Sequence, residues 1–183
     1  MNNKNKFIHY EILASTLTAG FMVRGGKKIY DPNVDIKDEE REKMKCNIKQ
    51  NLINIGVDYY KTDIDSKRHM ENIIKLKNLI QEEHRGILFE KTFRFGVAQK
   101  LLNLYLKYLW ALGWINSMPP HCPMDSIISR TLEDGYKFSK SDSVDEYKKV
   151  KEKAKQTAKE KDTSISEWEM DEFLETNYSK LNF

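Results

Sequence analysis

Apolar residues recur at intervals of three and four positions along most of the chain, the spacing that places them on one face of a helix. The pattern predicts three amphipathic helices, over about residues 7–23, 35–55 and 65–86. A glycine pair follows the first helix, and Gly56 is predicted to end the second. Segments with the strict alternation of a β-strand are absent from the pattern, so we expect an all-α protein.

The fourth predicted helix begins at Val97 and is apolar around most of its circumference. A helix of this kind is typical of the centre of a bundle. Met118-Pro119-Pro120 is predicted to stop it, and Pro123 is predicted to lie in the first turn of a fifth helix. The fourth helix therefore predicts where the core of the protein lies.

Two capping-box patterns predict the last helices, over residues 144–159 and 167–181. The pairs are Ser143 with Glu146, and Ser166 with Glu169. In total the sequence predicts a compact bundle of about seven helices in a single domain, residues 1–183, with room for a cleft between two small lobes.

Composition narrows the class of protein. The 183 residues are 39% hydrophobic, and 31 Lys and Arg stand against 28 Asp and Glu. Two cysteines, Cys46 and Cys122, are too few for a disulfide framework or a four-thiolate metal site. No apolar run approaches the roughly 18 residues that span a bilayer. We expect a cytoplasmic protein with no membrane partner, no metal and no cofactor.

Residues 137–163 form a polar segment that is predicted to contain a lysine-rich helix. Seven lysines crowd this helix, between positions 148 and 161. Because aspartate and glutamate are interleaved with them, the plainer interpretation is a solvated surface. The alternative is a face that contacts phosphates, since clustered cations supply most of the affinity for nucleic acid.

Two short turns carry the candidate chemistry. Residues 95–100 read Phe-Gly-Val-Ala-Gln-Lys and lead into the central helix, and residues 121–125 read His-Cys-Pro-Met-Asp and lead into the next one. Each turn presents a helix N-terminus, whose unpaired N–H groups are suited to bind anions such as phosphates.

This pair of turns resembles the helix-hairpin-helix DNA glycosylases, in particular the lysine-bearing branch that includes the 8-oxoguanine glycosylases. The resemblance covers residues 93–130, the expected catalytic core. It implies that Lys100 is the nucleophile that attacks the sugar and that Asp125 is the assisting carboxylate. In this chain Ala98 stands where the family's hairpin has its second glycine, Arg94-Phe95 replace a Leu-Pro lead-in, and the interval from lysine to aspartate is longer.

The resemblance also implies how the protein meets DNA. Backbone contacts are expected at Arg94, Gly96, Val97, Ala98 and Gln99. Aromatic side chains hold a base that has been extruded from the duplex. The residues available for such a pocket are Phe93, Trp110, Trp114, Tyr105 and His121.

The leading hypothesis is thus a monomeric DNA glycosylase with lyase activity, associated with the nucleoid and acting on a damaged base in duplex DNA. Two alternatives stay open. One is a non-catalytic helical module that binds DNA or a protein. The other is a hydrolase of a nucleoside or another small molecule, which would use Asp125 with a pocket histidine.

Overall fold

The computed structural model describes residues 2–21 and 29–178. Within these ranges the chain forms seven α-helices and no strand: α1 (Asn3–Phe21), α2 (Asp38–Tyr59), α3 (Ser66–His84), α4 (Phe95–Ala111), α5 (Ser126–Thr131), α6 (Val144–Glu160) and α7 (Ile165–Asn177). A short 3-10 turn, Phe89–Lys91, precedes α4. The predicted all-α bundle is confirmed. None of the helices in the described ranges is long and apolar enough to cross a membrane.

Helix α4 lies at the centre of the bundle, as its sequence predicts. It packs against α1, α2 and α3, while α7 packs against α5 and α6. Leu101, Leu102, Tyr105, Leu106 and Leu109 are fully buried along it. The helices thus fall into a first group, α1 to α4, and a second group, α5 to α7. One hydrophobic cluster includes residues from all seven helices, so the two groups share a core.

The prediction that Gly56 ends the second helix is wrong. Helix α2 continues to Tyr59, and Gly56 lies inside its last turns. A Cβ atom at Gly56 would come within 2.9 Å of the Tyr105 ring. This glycine therefore allows α2 to approach α4 closely, and the helix continues because tertiary packing outweighs the low helix propensity of glycine. The glycine pair after α1 lies outside the described residues.

The connection between α4 and α5 also differs from the prediction. Helix α4 begins at Phe95, two residues earlier than expected, and ends at Ala111, where Gly113 adopts a positive φ of 67°. Residues 112–125 are then non-helical, so Pro123 precedes α5 instead of lying in its first turn. The interval between Lys100 and Asp125 therefore consists of the rest of α4 followed by the irregular residues 112–125.

The two C-terminal helices have different caps from each other. Ser143 caps α6 as predicted, and its hydroxyl accepts a hydrogen bond from the backbone N–H of Glu146. The predicted box at Ser166 is wrong, because α7 begins two residues earlier with a capping box between Ser164 and Glu167. Ser166 is buried and donates to a backbone carbonyl of the irregular connection. Residues 137–143, the first part of the lysine-rich polar segment, are irregular.

We expect truncation of the α4 core to cost about 2–5 kcal/mol of the free energy of unfolding per site. The changes are Leu102→Ala and Leu109→Ala, because both side chains have no exposed surface. Urea denaturation would measure the loss. Leu112→Ala is the matched control, since that side chain is 46% exposed and should be close to neutral. Equal effects at all three positions would contradict the central placement of α4.

Candidate functional site

Lys100 and Asp125 form an ion pair, which brings together the two residues predicted to carry the chemistry. The Lys100 Nζ atom lies 3.1 Å from the Asp125 Oδ2 atom. The side chains are 10% and 17% exposed, respectively. Lys100 is the sixth residue of α4, and Asp125 immediately precedes α5, so the pair joins the central helix to the second group of helices.

Asp125 uses its two carboxylate oxygens for different partners. Its Oδ1 atom caps α5 by accepting hydrogen bonds from the backbone N–H groups of Ile127, at 2.8 Å, and Ile128, at 3.4 Å. Its Oδ2 atom contacts Lys100. A carboxylate is stabilised at a helix N-terminus by the helix dipole as well as by the hydrogen bonds. The anion is thus held in a defined orientation toward the amine.

Two amide side chains of α4 hold the irregular segment that leads to Asp125. The Gln99 side chain donates to the Met124 carbonyl at 2.8 Å and accepts from the Met124 N–H at 3.2 Å. Asn103, one turn further along, donates to the Cys122 carbonyl at 2.9 Å. Both amides are fully buried. These directional contacts fix the position of the chain just before Asp125.

The ion pair lines a cavity of about 1030 Å³. Its walls come from the end of α1, from α4, from α5, from the irregular segment 133–140 and from the last turns of α7. Lys100 lies under an aromatic ring, with its Nζ atom 4.5 Å from the centre of the Phe138 ring. Arg130, Lys137 and Lys140 add positive charge to the wall, and Glu133 adds one negative charge. The cavity is large enough for a small-molecule or nucleotide-sized ligand.

The predicted DNA contacts around Gly96 lie inside the protein. Gly96, Val97, Ala98 and Gln99 are all buried in the first turns of α4. The Gly96 N–H donates to the Ser141 carbonyl at 3.0 Å, so the segment after Phe138 covers the turn. This placement argues against phosphate contacts at these four residues, because no surface is left for a ligand.

Arg94 is also turned inward, with 6% of its surface exposed. Its guanidinium group lies 2.7 Å from the Glu90 carboxylate and stacks over the Phe89 ring. The cation therefore stabilises the turn before α4 and is not available for a phosphate.

The residues considered for a base pocket lie away from the cavity. Phe93 is fully buried in the core, and Trp114 packs edge-on against His9. Trp110 and His121 border a separate gap too small for a water molecule. The aromatic rings that do line the cavity are Tyr136, Phe138 and Phe173. Sequence reasoning missed them because they follow no periodic pattern and lie far from Lys100 along the chain.

The histidines near the core belong to a buried hydrogen-bond network. His69 contacts Tyr59 at 2.7 Å and Asn103 at 2.6 Å, and His121 contacts Tyr147 at 3.0 Å and Ser66 at 2.7 Å. None of the four histidines, all of which lie in the described ranges, borders the cavity. This arrangement removes support from the alternative of a hydrolase that pairs Asp125 with a histidine.

A metal centre also finds no support among the described residues. They include no group of three histidine, cysteine, aspartate or glutamate side chains placed to bind an ion. Burial raises the pKa of the Cys122 thiol well above its usual range. The thiolate that a metal requires is therefore disfavoured.

Comparison with known proteins gives no match to a protein-family model, a curated protein or a solved structure. The resemblance to the glycosylases thus depends on residues 93–130.

We expect Gly96→Ala to destabilise the protein by about 1–3 kcal/mol or more, because overpacking displaces the backbone. A Cβ atom at Gly96 would collide with the Phe138 carbonyl group, which cannot move aside as a flexible side chain does. Thermal and urea unfolding would measure the change. Gly86→Ala is the control, since nothing lies within 4 Å of the added atom. If the two variants were equally stable, the close approach of residues 138–141 would be wrong.

We also expect the protein to lose stability as the pH falls below about 6.5. Burial lowers the pKa of His69 to about 4 and that of His121 to about 2, against 6.5 in an unfolded chain. Between these values the unfolded chain binds protons that the folded chain does not. The free energy of unfolding should therefore decrease as the pH decreases. The slope should approach about 1.4 kcal/mol per pH unit for each histidine.

Urea unfolding between pH 7.5 and 5.5 would test this dependence. His121→Gln should lower stability at all pH values, yet its dependence on pH should be shallower than that of the wild type. Identical slopes for the two proteins would show that His121 does not titrate between the folded and unfolded states as expected.

Proposed function

We propose that this protein is a DNA glycosylase with lyase activity, in which Lys100 is the nucleophile and Asp125 assists it. The observation that carries the proposal is the Lys100–Asp125 pair, 3.1 Å apart at the wall of a large cavity. The resemblance of residues 93–130 to the lysine-bearing glycosylases names the same two residues. The geometry and the motif thus agree on one pair of side chains.

The chemistry assigns one role to each side chain. Lysine attacks only as a free amine, so the Lys100 ammonium group first releases a proton to solvent, and the neighbouring Asp125 carboxylate remains available to stabilise the charge on the sugar. The amine then forms a bond to C1′ of the sugar while the bond to the base breaks. The base leaves with the electron pair and takes up a proton. Opening of the sugar ring gives an imine, from which β-elimination cleaves the strand.

The surroundings of the pair favour this chemistry over a purely structural ion pair. A carboxylate beside the sugar stabilises the positive charge that develops on the ring. The Phe138 ring covers the amine, and the Tyr136 and Phe173 rings provide surfaces against which an extruded base can pack. The basic residues on the same wall are complementary to the phosphates that flank such a nucleotide.

The test uses an oligonucleotide with an abasic site, because this substrate needs no base recognition. Borohydride reduces an imine to a stable amine, so the wild-type protein should become covalently attached to the DNA. Lys100→Gln should abolish the crosslink, since glutamine has no nucleophilic amine. Lys107→Gln is the matched control: Lys107 lies on the same helix and contacts Glu169 at 2.7 Å, but it does not line the cavity.

Asp125→Asn separates the charge of this residue from its structural role. Asparagine caps helices about as well as aspartate, so α5 should keep its cap, while loss of the ion pair to the nearly buried Lys100 should lower stability, and the rates are compared at a temperature where the variant is folded. Excision from oligonucleotides that carry 8-oxoguanine or uracil should slow by about 10²-fold or more, because the charge that assists the reaction is lost. Binding that persists in a wild-type protein that never crosslinks would support a non-catalytic module instead.

A further inference from the structure

A second cavity, of about 570 Å³, adjoins the one that contains Lys100. The two cavities share Gly135, Tyr136, Lys137 and Lys140, so the segment 135–140 borders both. The second cavity extends the same surface toward α6, where Lys149 completes its wall. The surface around the candidate site is therefore longer than the site itself.

The cations on this surface are not engaged within the described chain. Arg130, Lys137, Lys140 and Lys149 are exposed, and none of them forms an ion pair with another described residue. Most of the neighbouring acids are engaged elsewhere. Asp134 lies 3.8 Å from Lys153, and the Glu146 carboxylate accepts a hydrogen bond from Ser141 at 2.6 Å. Asp125 is paired with Lys100, which leaves Glu133 and Glu146 as the acidic groups of this surface that face the four cations without an ion-pair partner.

Other lysines of α6 have different surroundings. Lys148 and Lys151 contact Asp145 and Glu152, respectively, and Lys161, which directly follows the helix, contacts Glu172. Lys155 and Lys159 line a separate cavity that shares no residue with the one around Lys100. The lysine-rich helix is therefore divided, and Lys149 is the lysine of α6 that borders the extended surface.

We propose that Arg130, Lys137, Lys140 and Lys149 form a track that binds the phosphodiester backbone of a nucleic acid and leads it to Lys100. This inference rests on the proposed function and replaces the turn at Gly96 as the expected backbone contact. An extended row of unpaired cations over two adjoining cavities matches a polymer of phosphates better than a single small anion. The track lies outside α4, whose first turns are buried.

The salt dependence of DNA binding tests the track. Each phosphate contact contributes about 0.9 to the slope of log affinity against log salt concentration for duplex DNA. The triple variant Lys137→Gln/Lys140→Gln/Lys149→Gln should lower the slope for an abasic duplex by about 2–3. The control Lys148→Gln/Lys155→Gln/Lys159→Gln removes the same charge from the other parts of α6 and should lower the slope by less than about 1.

Several outcomes would overturn the track. The first is an equal salt slope for the two triple variants, and the second is a wild-type protein that does not bind DNA at low salt. The third is a track variant that loses as much affinity for polyglutamate of matched charge as it loses for DNA. The last result would show a surface for anions in general rather than for nucleic acid.

Borohydride crosslinking distinguishes failure of the track from failure of the proposed function. A wild-type protein that binds with the expected slopes but never crosslinks would refute the lyase and support the track. A wild-type protein that crosslinks, together with a track variant whose salt slope equals that of the wild type, would support the lyase and refute the track.

Discussion

The candidate site depends on the hydrogen bonds that the Gln99 and Asn103 side chains of α4 make to the irregular segment before Asp125. Hydrophobic burial holds helices together, but it is not directional and does not determine the path of a chain without regular structure. The backbone groups of Cys122 and Met124 are paired with these two amides. An unpaired buried polar group costs about 1–3 kcal/mol, so displacing the segment would be expensive. The amides thereby fix where α5 begins and where Asp125 faces Lys100.

A second constraint closes the site from the other side. The Ser141 carbonyl accepts a hydrogen bond from Gly96, and the Phe138 backbone lies against the same glycine. This contact places the Phe138 ring over the Lys100 amine. At Gly96, where the sequence predicted a contact with the DNA backbone, the missing side chain lets another part of the same chain approach the helix. The first turn of α4 therefore shapes the cavity from within, and two of the exposed cations, Lys137 and Lys140, lie on the segment that covers it.

Local patterns in the sequence predicted the features that depend on neighbours along the chain. Helical periodicity located α4 and its core residues, and Ser143 caps α6 as predicted. Lys100 and Asp125 were singled out by the two motifs rather than by any pattern of hydrophobicity, and that they form a pair is seen only in the structure. Contacts between distant segments could not be predicted in this way. The role of Gly56 depends on Tyr105, and that of Gly96 depends on Phe138, so neither glycine reveals its partner from its position in the sequence.

The structure also offers a comparison within α4, because the helix carries two lysines that pair with carboxylates. Lys100 and Lys107 are seven residues apart, two helical turns, and each contacts a carboxylate from the second group of helices. Beside Lys107 and Glu169 the remaining gap does not admit a water molecule, so that pair joins α4 to α7 and can meet no substrate. Beside Lys100 and Asp125 there is a cavity of about 1030 Å³. The same pairing of charges is structural where the surrounding space is closed and becomes a candidate for chemistry where the space is open to a ligand.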